Sequence, residues 1–538
     1  MLEAEISCGL LVALLLIVIS TVLLYKYSIR NFDYWKIRNV PYVKPLPFLG
    51  SIFENMTKPL HDTEIRRRQE YGNIYGYFEG SRPVLSVADR ELLRDIFVKD
   101  FHVFPERRRM TTGDKIVDKM MSTVTGDDWK RIRAIITPTF TTGKIKRMLG
   151  IFKECAEALV ENFKTASVNG QPIEAKKMYG AFTMDLIASA AFSTKLDSHN
   201  DPENKFVVMA RKIFRITFSW RIFLFFLFPK FMKWLKISVI PPKATSFFRD
   251  VALQIIEERK RTGQTRNDFL QLLMDTTKEM SQDPKSELYR EENADAASVY
   301  EEVNPDHQVF RGVSKKNLSK EELVAQCVMF FLAGYDSTAS NLSFVTYMLA
   351  LHPDIQEKLY GEIIKTFKET NGKLTYDAIQ NMKYLDNVVS ETLRLFPPTV
   401  RLERSAAADY KLRETGITIP EGMLVTIPIY VIHRDPEVFP EPEKFDPDRF
   451  TPEKRAERDP YAYIPFGAGP RNCIGIRFGL MGIKVCLTYV IANFKIKRCP
   501  DTKVPLEFIT FAGLLEPKEV MVALERRNDS PLKVNAMM

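Results

Sequence analysis

What is scarce in this chain narrows its function before any motif does. Its 538 residues include six cysteines, Cys8, Cys155, Cys327, Cys473, Cys486 and Cys499. None forms a C-x-x-C pair, which excludes a disulfide framework and a zinc ribbon and fits a reducing compartment. No basic stripe is interleaved with aromatics, so the net charge of +9 points to anionic lipid or an acidic protein partner rather than to nucleic acid. No internal repeat of solenoid period recurs, and strand-like alternation is confined to short stretches, so helix dominates. Apolar residues are plentiful at 45%, enough for a large buried core.

Residues 6–24 form an apolar run long enough to cross a bilayer as a helix. Glu3 and Glu5 precede it, while Lys26, Arg30, Lys36, Arg38 and Lys44 follow, and the positive-inside rule then leaves the body cytoplasmic. A cleaved signal peptide is the competitor; it needs a basic start and a small-residue cleavage site, and neither is present. The chain divides into an anchor (1–28), a proline-rich hinge (29–50, with "VPYVKPLPFLG" at 40–50), a body (51–527) and a tail (528–538). Within the body, the aromatic segment 214–234, interrupted by Arg221, Pro229 and Lys230, is expected to dip into the same membrane, with ordinary core as the alternative. Residues 278–316, rich in Glu, Asp, Ser, Asn and Lys, are expected to be a long disordered loop.

Ser319-Lys-Glu-Glu322 is a capping box. It opens a long helix through "LVAQCVMFFLAGYDSTASNLSFVTYMLALH" to His352, just ahead of Pro353. Inside it, Asp336, Ser337 and Thr338 set an acid beside two hydroxyls, and Gly334 costs about 1 kcal/mol against alanine. Close helix packing explains the glycine but not the carboxylate. At 466–475, "FGAGPRNCIG" places Cys473 in a glycine-rich loop. Gly467, Gly469 and Gly475 are expected to take positive φ and to let the backbone approach a flat ligand, Arg471 offers a fork for a carboxylate, and Cys473 supplies one thiolate. One soft ligand, one anion clamp and a flat neighbour fit haem, and thiolate ligation favours O–O cleavage. Loop N–H groups aimed at the sulfur would help keep it deprotonated. The plainer reading is a buried structural cysteine, as Cys155 and Cys327 are read.

The loop pattern F-G-x-G-x-R-x-C-x-G resembles the haem-binding loop of the cytochrome P450 haem-thiolate monooxygenases, and further family marks follow in order along nearly the whole chain. The resemblance implies a mainly α fold with small β regions, a triangular prism with haem between the long central helix and the Cys473 loop, plus an N-terminal transmembrane helix. "AGYDST" (333–338) is similar to the oxygen-activating segment, with Asp336 and Ser337 at the acid and alcohol positions, Thr338 beside them, and a helix distorted at Gly334. The alcohol is usually threonine. "ETLR" and "PDRF" resemble the family's buried charge triad, here Glu391, Arg394 and Arg449. "WKRIR" is similar to the helix whose Trp129 and Arg133 bind a haem propionate, and Arg471 matches a second contact. Arg404 in "RLER" and Arg108 in "RRRM" resemble further propionate contacts of the drug-metabolising family-3 branch, to which "PTFTTGKIK", "DFLQLL", "HRDP" and "GLLEP" also point.

The implied cofactor is haem b (iron protoporphyrin IX), with Cys473 as the iron's axial ligand and Phe466 and Gly467 in the cofactor loop. O2 and NADPH-derived electrons are the implied co-substrates. The implied partners are NADPH-cytochrome P450 reductase, cytochrome b5, membrane lipid and a lipophilic small molecule such as a xenobiotic, steroid or fatty acid, with no nucleic acid. The implied location is the endoplasmic reticulum membrane, single-pass, with the catalytic domain facing the cytosol. The substrate pocket is expected to draw on the stretch after Phe104, the 214 region, Phe330 to Ala333, Thr399 to Leu402 and Phe511 to Leu514. Two rivals remain: a P450-like isomerase or dehydratase that rearranges lipid peroxides without a reductase, and a non-catalytic haem protein. Members of the first tend to lose the acid and alcohol that this chain keeps.

Overall fold

The computed structural model describes residues 2–108, 112–192, 194–214, 242–282, 309–310, 317–510 and 514–531. The chain begins with α1 (Leu2–Ile29), whose Gly9–Ile29 stretch has a mean hydropathy of 2.4 and is exposed from Gly9 to Tyr27. At ~1.5 Å per residue it is long enough to span a bilayer. The hinge that follows is not a loose spacer. Trp35 is fully buried, its indole N–H donates to the Tyr77 carbonyl at 3.3 Å, and a Cβ at Gly76 would lie 2.4 Å from its ring. Residues 40–50 form no helix, because three prolines fix φ and withhold N–H donors, and Val43 N–H instead donates to the Gly76 carbonyl at 2.9 Å.

Next come α2 (Leu60–Tyr71), β1 (Ile74–Glu79) and β2 (Arg82–Val87), then α3 (Gly126–Ile136), α4 (Leu149–Ala166), the short β3 (Ile173–Glu174) and α5 (Ala175–Phe192). After α6 (Pro242–Thr262) and α7 (Phe269–Gln282) stands α8 (Lys320–Leu351), followed by α9 (Lys383–Leu395), β4 (Leu402–Ser405), β5 (Leu424–Ile427), α10 (Ile476–Asn493), β6 (Phe494–Lys497) and β7 (Met521–Arg526). Helix therefore dominates, with one sheet in the order β1-β2-β5-β4 and another in the order β3-β7-β6. The expected loop at 278–316 and the aromatic segment at 214–234 fall almost wholly outside the described residues; α7 extends to Gln282.

The capping box starts α8 as the sequence indicates. Ser319 Oγ accepts the Glu322 N–H at 3.2 Å, and Glu322 returns the bond to the Ser319 N–H at 2.8 Å. Almost every residue of α8 outside 332–337 is buried, so its stability comes from tertiary packing on several sides. Its chief neighbour is α5, where Tyr179 and Thr346 share a hydroxyl hydrogen bond of 2.7 Å and Gly334 faces Ile187. Beneath it lies α10, apolar enough to resemble a membrane span but 83% buried, which makes it a core helix.

Candidate functional site

The cysteine loop is built by backbone constraints that only glycine meets. Gly467 and Gly469 take φ of +76° and +68°, the left-handed region that costs an L-residue about 1–2 kcal/mol. At Gly469 a Cβ would also stand 2.0 Å from the Phe97 carbonyl oxygen, supplied by one turn of π-helix, Asp95–Lys99. The Phe466 carbonyl accepts the Cys473 N–H at 2.9 Å and closes the loop. Gly475 corrects the sequence expectation: its φ is −89° and it serves as N-cap of α10. Its N–H hydrogen-bonds to the Cys473 sulfur. Cys473 is an exposed residue, yet the protein packed around its sulfur raises the thiol, while that N–H and the charges of Arg133 and Arg107 partly offset the rise. The Cys473 thiol stays above its ordinary value all the same, and in Cys155 and Cys327 burial pushes the thiol up to about 12.

Four guanidinium groups converge around this loop. Arg133 sits one helical turn beyond Trp129 on α3 and donates to the Asn472 carbonyl at 3.1 Å and its side-chain oxygen at 2.7 Å. Arg471 lies over the Trp129 indole at 3.9 Å and donates to the Pro105 carbonyl at 2.8 Å. On β4, strand alternation puts Leu402 and Arg404 on the face towards the loop; a Cβ at Gly467 would meet Leu402 at 3.2 Å, and Arg404 stacks on Phe97 at 4.8 Å. Arg107 completes the group, donating to the Arg471 carbonyl at 3.1 Å.

Burial first, and then mutual repulsion, destabilises these cations. Arg404 is driven down to about 9 by burial and Arg107. Arg471 falls to about 8 through burial and its Arg107 and Arg404 neighbours, with Glu106 opposing, and Arg133 to about 10 through burial and Arg107, with Cys473 opposing. Arg404 Nε is buried with no hydrogen-bond partner among the described residues. Four such cations outweigh the one carboxylate, Glu106, that opposes the shift of Arg471, so the cluster suits an anionic ligand, and the two carboxylates of haem would fit it beside Cys473. Arg108 is not in the cluster. It is held by two carboxylates, Glu403 at 2.8 Å and Glu79 at 2.9 Å, on the opposite face of the β4 strand. Arg107, missed in the sequence, takes its place.

On α8 the three candidate residues diverge, because successive side chains turn by about 100°. Ser337 lies one turn beyond exposed Ala333 and donates to its carbonyl at 2.8 Å. Thr338 is turned into the helix packing and is 9% exposed, so it does not share that face. Asp336 points away, 3.6 Å from Lys176, and Lys176 also hydrogen-bonds to Glu516. Burial raises the Asp336 carboxyl, Lys176 opposes this, and Glu516 adds to it. The helix is continuous through Gly334, which corrects the expected distortion: a Cβ there would lie 2.6 Å from Ile187 Cδ1, so close packing accounts for the glycine. Phe330 packs edge-on against Phe140 at 5.1 Å and at a tilt against Phe269 at 5.5 Å, while the 214 region beyond Phe214 and residues 511–513 of the expected pocket lie outside the described residues.

Behind the loop, Glu391 and Arg394 are both fully buried and form a bidentate pair at 2.7 and 2.8 Å. Arg449 Nε approaches Glu391 at 3.5 Å. Arg394 also donates to the His433 carbonyl at 3.0 Å, and His433 Nε2 accepts the Ile464 N–H at 2.9 Å, two residues before Phe466. The triad thus supports the entry to the cysteine loop.

A glycine-built cysteine loop, a cationic cradle and a long helix with an acid and an alcohol fit the expectation of a haem-thiolate enzyme. The family model described as Cytochrome P450 matches residues 40–299 and 307–524. Cytochrome P450 3A31 of Mesocricetus auratus is 37% identical over 513 residues, covering 94% of this chain and 95% of that protein. Cytochrome P450 3A2 of Rattus norvegicus is 39% identical over 513 residues with the same coverage, and cytochrome P450 3A11 of Mus musculus is 38% identical over 514 residues, again covering 94% and 95%. The chain belongs to the cytochrome P450 family, resembles its family-3 members, and is a monooxygenase.

Proposed function

We propose that the protein inserts one oxygen atom of O2 into a lipophilic small molecule, a xenobiotic, steroid or fatty acid, using NADPH electrons delivered by NADPH-cytochrome P450 reductase. The observation that carries this reading is the cluster of Arg107, Arg133, Arg404 and Arg471 around Cys473. In it, Cys473 would hold the iron of haem b and the four arginines, with Trp129 beneath Arg471, would hold its carboxylates. Bound haem supplies the redox chemistry on O2; the chain supplies orientation, charge and controlled access of protons.

Ser337 is the alcohol for proton handling. Its Oγ–H is occupied by the Ala333 carbonyl, and rotation away from that carbonyl frees the hydroxyl to hold and pass a proton. Asp336 is the acid. Burial favours its protonated form, and Lys176, shared with Glu516, favours the ionised one, so the carboxyl is poised to gain and lose a proton. The apolar α1 fits a single-pass anchor in the endoplasmic reticulum membrane with the body in the cytosol, and cytochrome b5 is a second candidate electron donor.

The test is spectroscopic and kinetic. Reduced protein under carbon monoxide should show the red-shifted Soret band of a thiolate-ligated haem, and Cys473→Ser should lose it. Reconstitution with reductase should give substrate-dependent NADPH consumption. Retention of the thiolate band in Cys473→Ser would overturn the assignment, and turnover of lipid hydroperoxides without reductase would favour the isomerase.

A further inference from the structure

Gln326 interrupts the apolar first half of α8, "LVAQCVMFFLA", and it is fully buried. An amide in such surroundings is costly unless its donors and acceptor are used. Gln326 uses them on one segment of chain. Its Nε2 donates to the Lys119 carbonyl at 2.8 Å and, within its own helix, to the Glu322 carbonyl at 3.1 Å. Its Oε1 accepts the Met121 N–H at 2.9 Å.

The other side of that segment faces Arg471. The Val124 carbonyl lies 3.4 Å from Arg471 Nη2, and the Met121 and Val124 carbonyls each lie 3.5 Å from Nη1. These contacts are long, so a small displacement of residues 119–124 decides whether they exist. The segment is irregular, built from tight turns such as Met120 N–H to the Val117 carbonyl at 3.2 Å and Val124 N–H to the Met120 carbonyl at 2.9 Å. Among the described residues, Gln326 is the α8 side chain that hydrogen-bonds its backbone.

We propose that Gln326 is a positioning residue for haem binding: by fixing residues 119–124 as a strap, it sets the carbonyls that aim the Arg471 fork at the haem carboxylate. The inference rests on reading the arginine cluster as the haem clamp. It links the long helix to the cysteine loop through a segment neither belongs to. Replacing Gln326 with leucine leaves the Met121 N–H and the Lys119 carbonyl without their amide, and the strap relaxes at the edge where Arg471 sits.

The experiment measures transfer of haem from full-length holoprotein to excess apomyoglobin, alongside thermal unfolding of the same preparations. Gln326→Leu should release haem about tenfold faster, the effect of losing roughly one net hydrogen bond to the clamp. Combining it with Arg471→Lys should be no worse than Arg471→Lys alone, because both act through one guanidinium. A merely structural residue would lower the unfolding temperature and leave haem transfer at low temperature unmoved. Haem loss within twofold of the parent, or full additivity with Arg471→Lys, would overturn the proposal. Should Gln326→Leu fail to accumulate as folded protein, Gln326→Glu, which keeps the acceptor for Met121 and loses the donor to Lys119, carries the test under the same criteria. Absence of a thiolate-type spectrum in the parent protein is a different result and would count against the haem reading itself.

Discussion

At the scale of single residues, the site is governed by buried cations crowded together around Cys473. Arg404 shows this most plainly, being 1% exposed, with an orphaned Nε and its charge opposed by burial and by Arg107. Arg404→Met should weaken haem retention by about 1.5–3 kcal/mol, the usual worth of a hydrogen bond to a charged group, read as faster haem transfer to an acceptor protein. Ser337→Ala should raise peroxide released per NADPH consumed, measured with reductase and a turned-over substrate; unchanged coupling would exclude Ser337 from proton handling. Away from the site, burial raises the Asp185 carboxyl to about 6. A carboxyl whose folded value lies above its unfolded one favours the fold at low pH and loses that contribution as pH rises through about 6. Asp185→Asn, which keeps an acceptor for the Ser198 N–H, should therefore gain melting temperature over the parent progressively between pH 4 and 7, and not below pH 4.

At the scale of elements, α8 and the cysteine loop divide what a linear reading reveals from what it hides. The loop was legible because its parts are contiguous: spacing alone sets Phe466, Gly467, Arg471 and Cys473. The arginine cradle was only partly so, since Arg107 and Arg108 are neighbours of identical type and the backbone decides which one turns towards Cys473. Lys176 and Glu516 were invisible to spacing, being separated by 340 positions, and Gln326 read as one polar residue in an apolar run. Gly334 drew attention for its place beside Asp336, yet it faces Ile187 on α5. Gly334→Ala should cost about 1–3 kcal/mol by overpacking, and Ile187→Ala should recover part of it in a double-mutant cycle of thermal or denaturant stability. Glu391→Gln should be harsher, about 3–5 kcal/mol, because it leaves Arg394 buried and uncompensated; the loss should appear as failure to retain haem.

At the scale of the whole molecule, the mainly α body with small sheets follows from composition and periodicity, whereas the relation of anchor to body does not. The prolines at 41, 45 and 47 indicated a stiff hinge but gave no hint that Trp35 and Val43 bind it to β1. Between the end of α1 and buried Trp35 lie only residues 30–34, a reach of at most about 20 Å when fully extended. The body is thus moored on a short leash rather than drifting at the end of a flexible cord. A bilayer crossed by α1 would therefore hold the body at a restricted set of tilts, and lengthening the leash with glycine and serine would widen that set while leaving the reaction centre untouched.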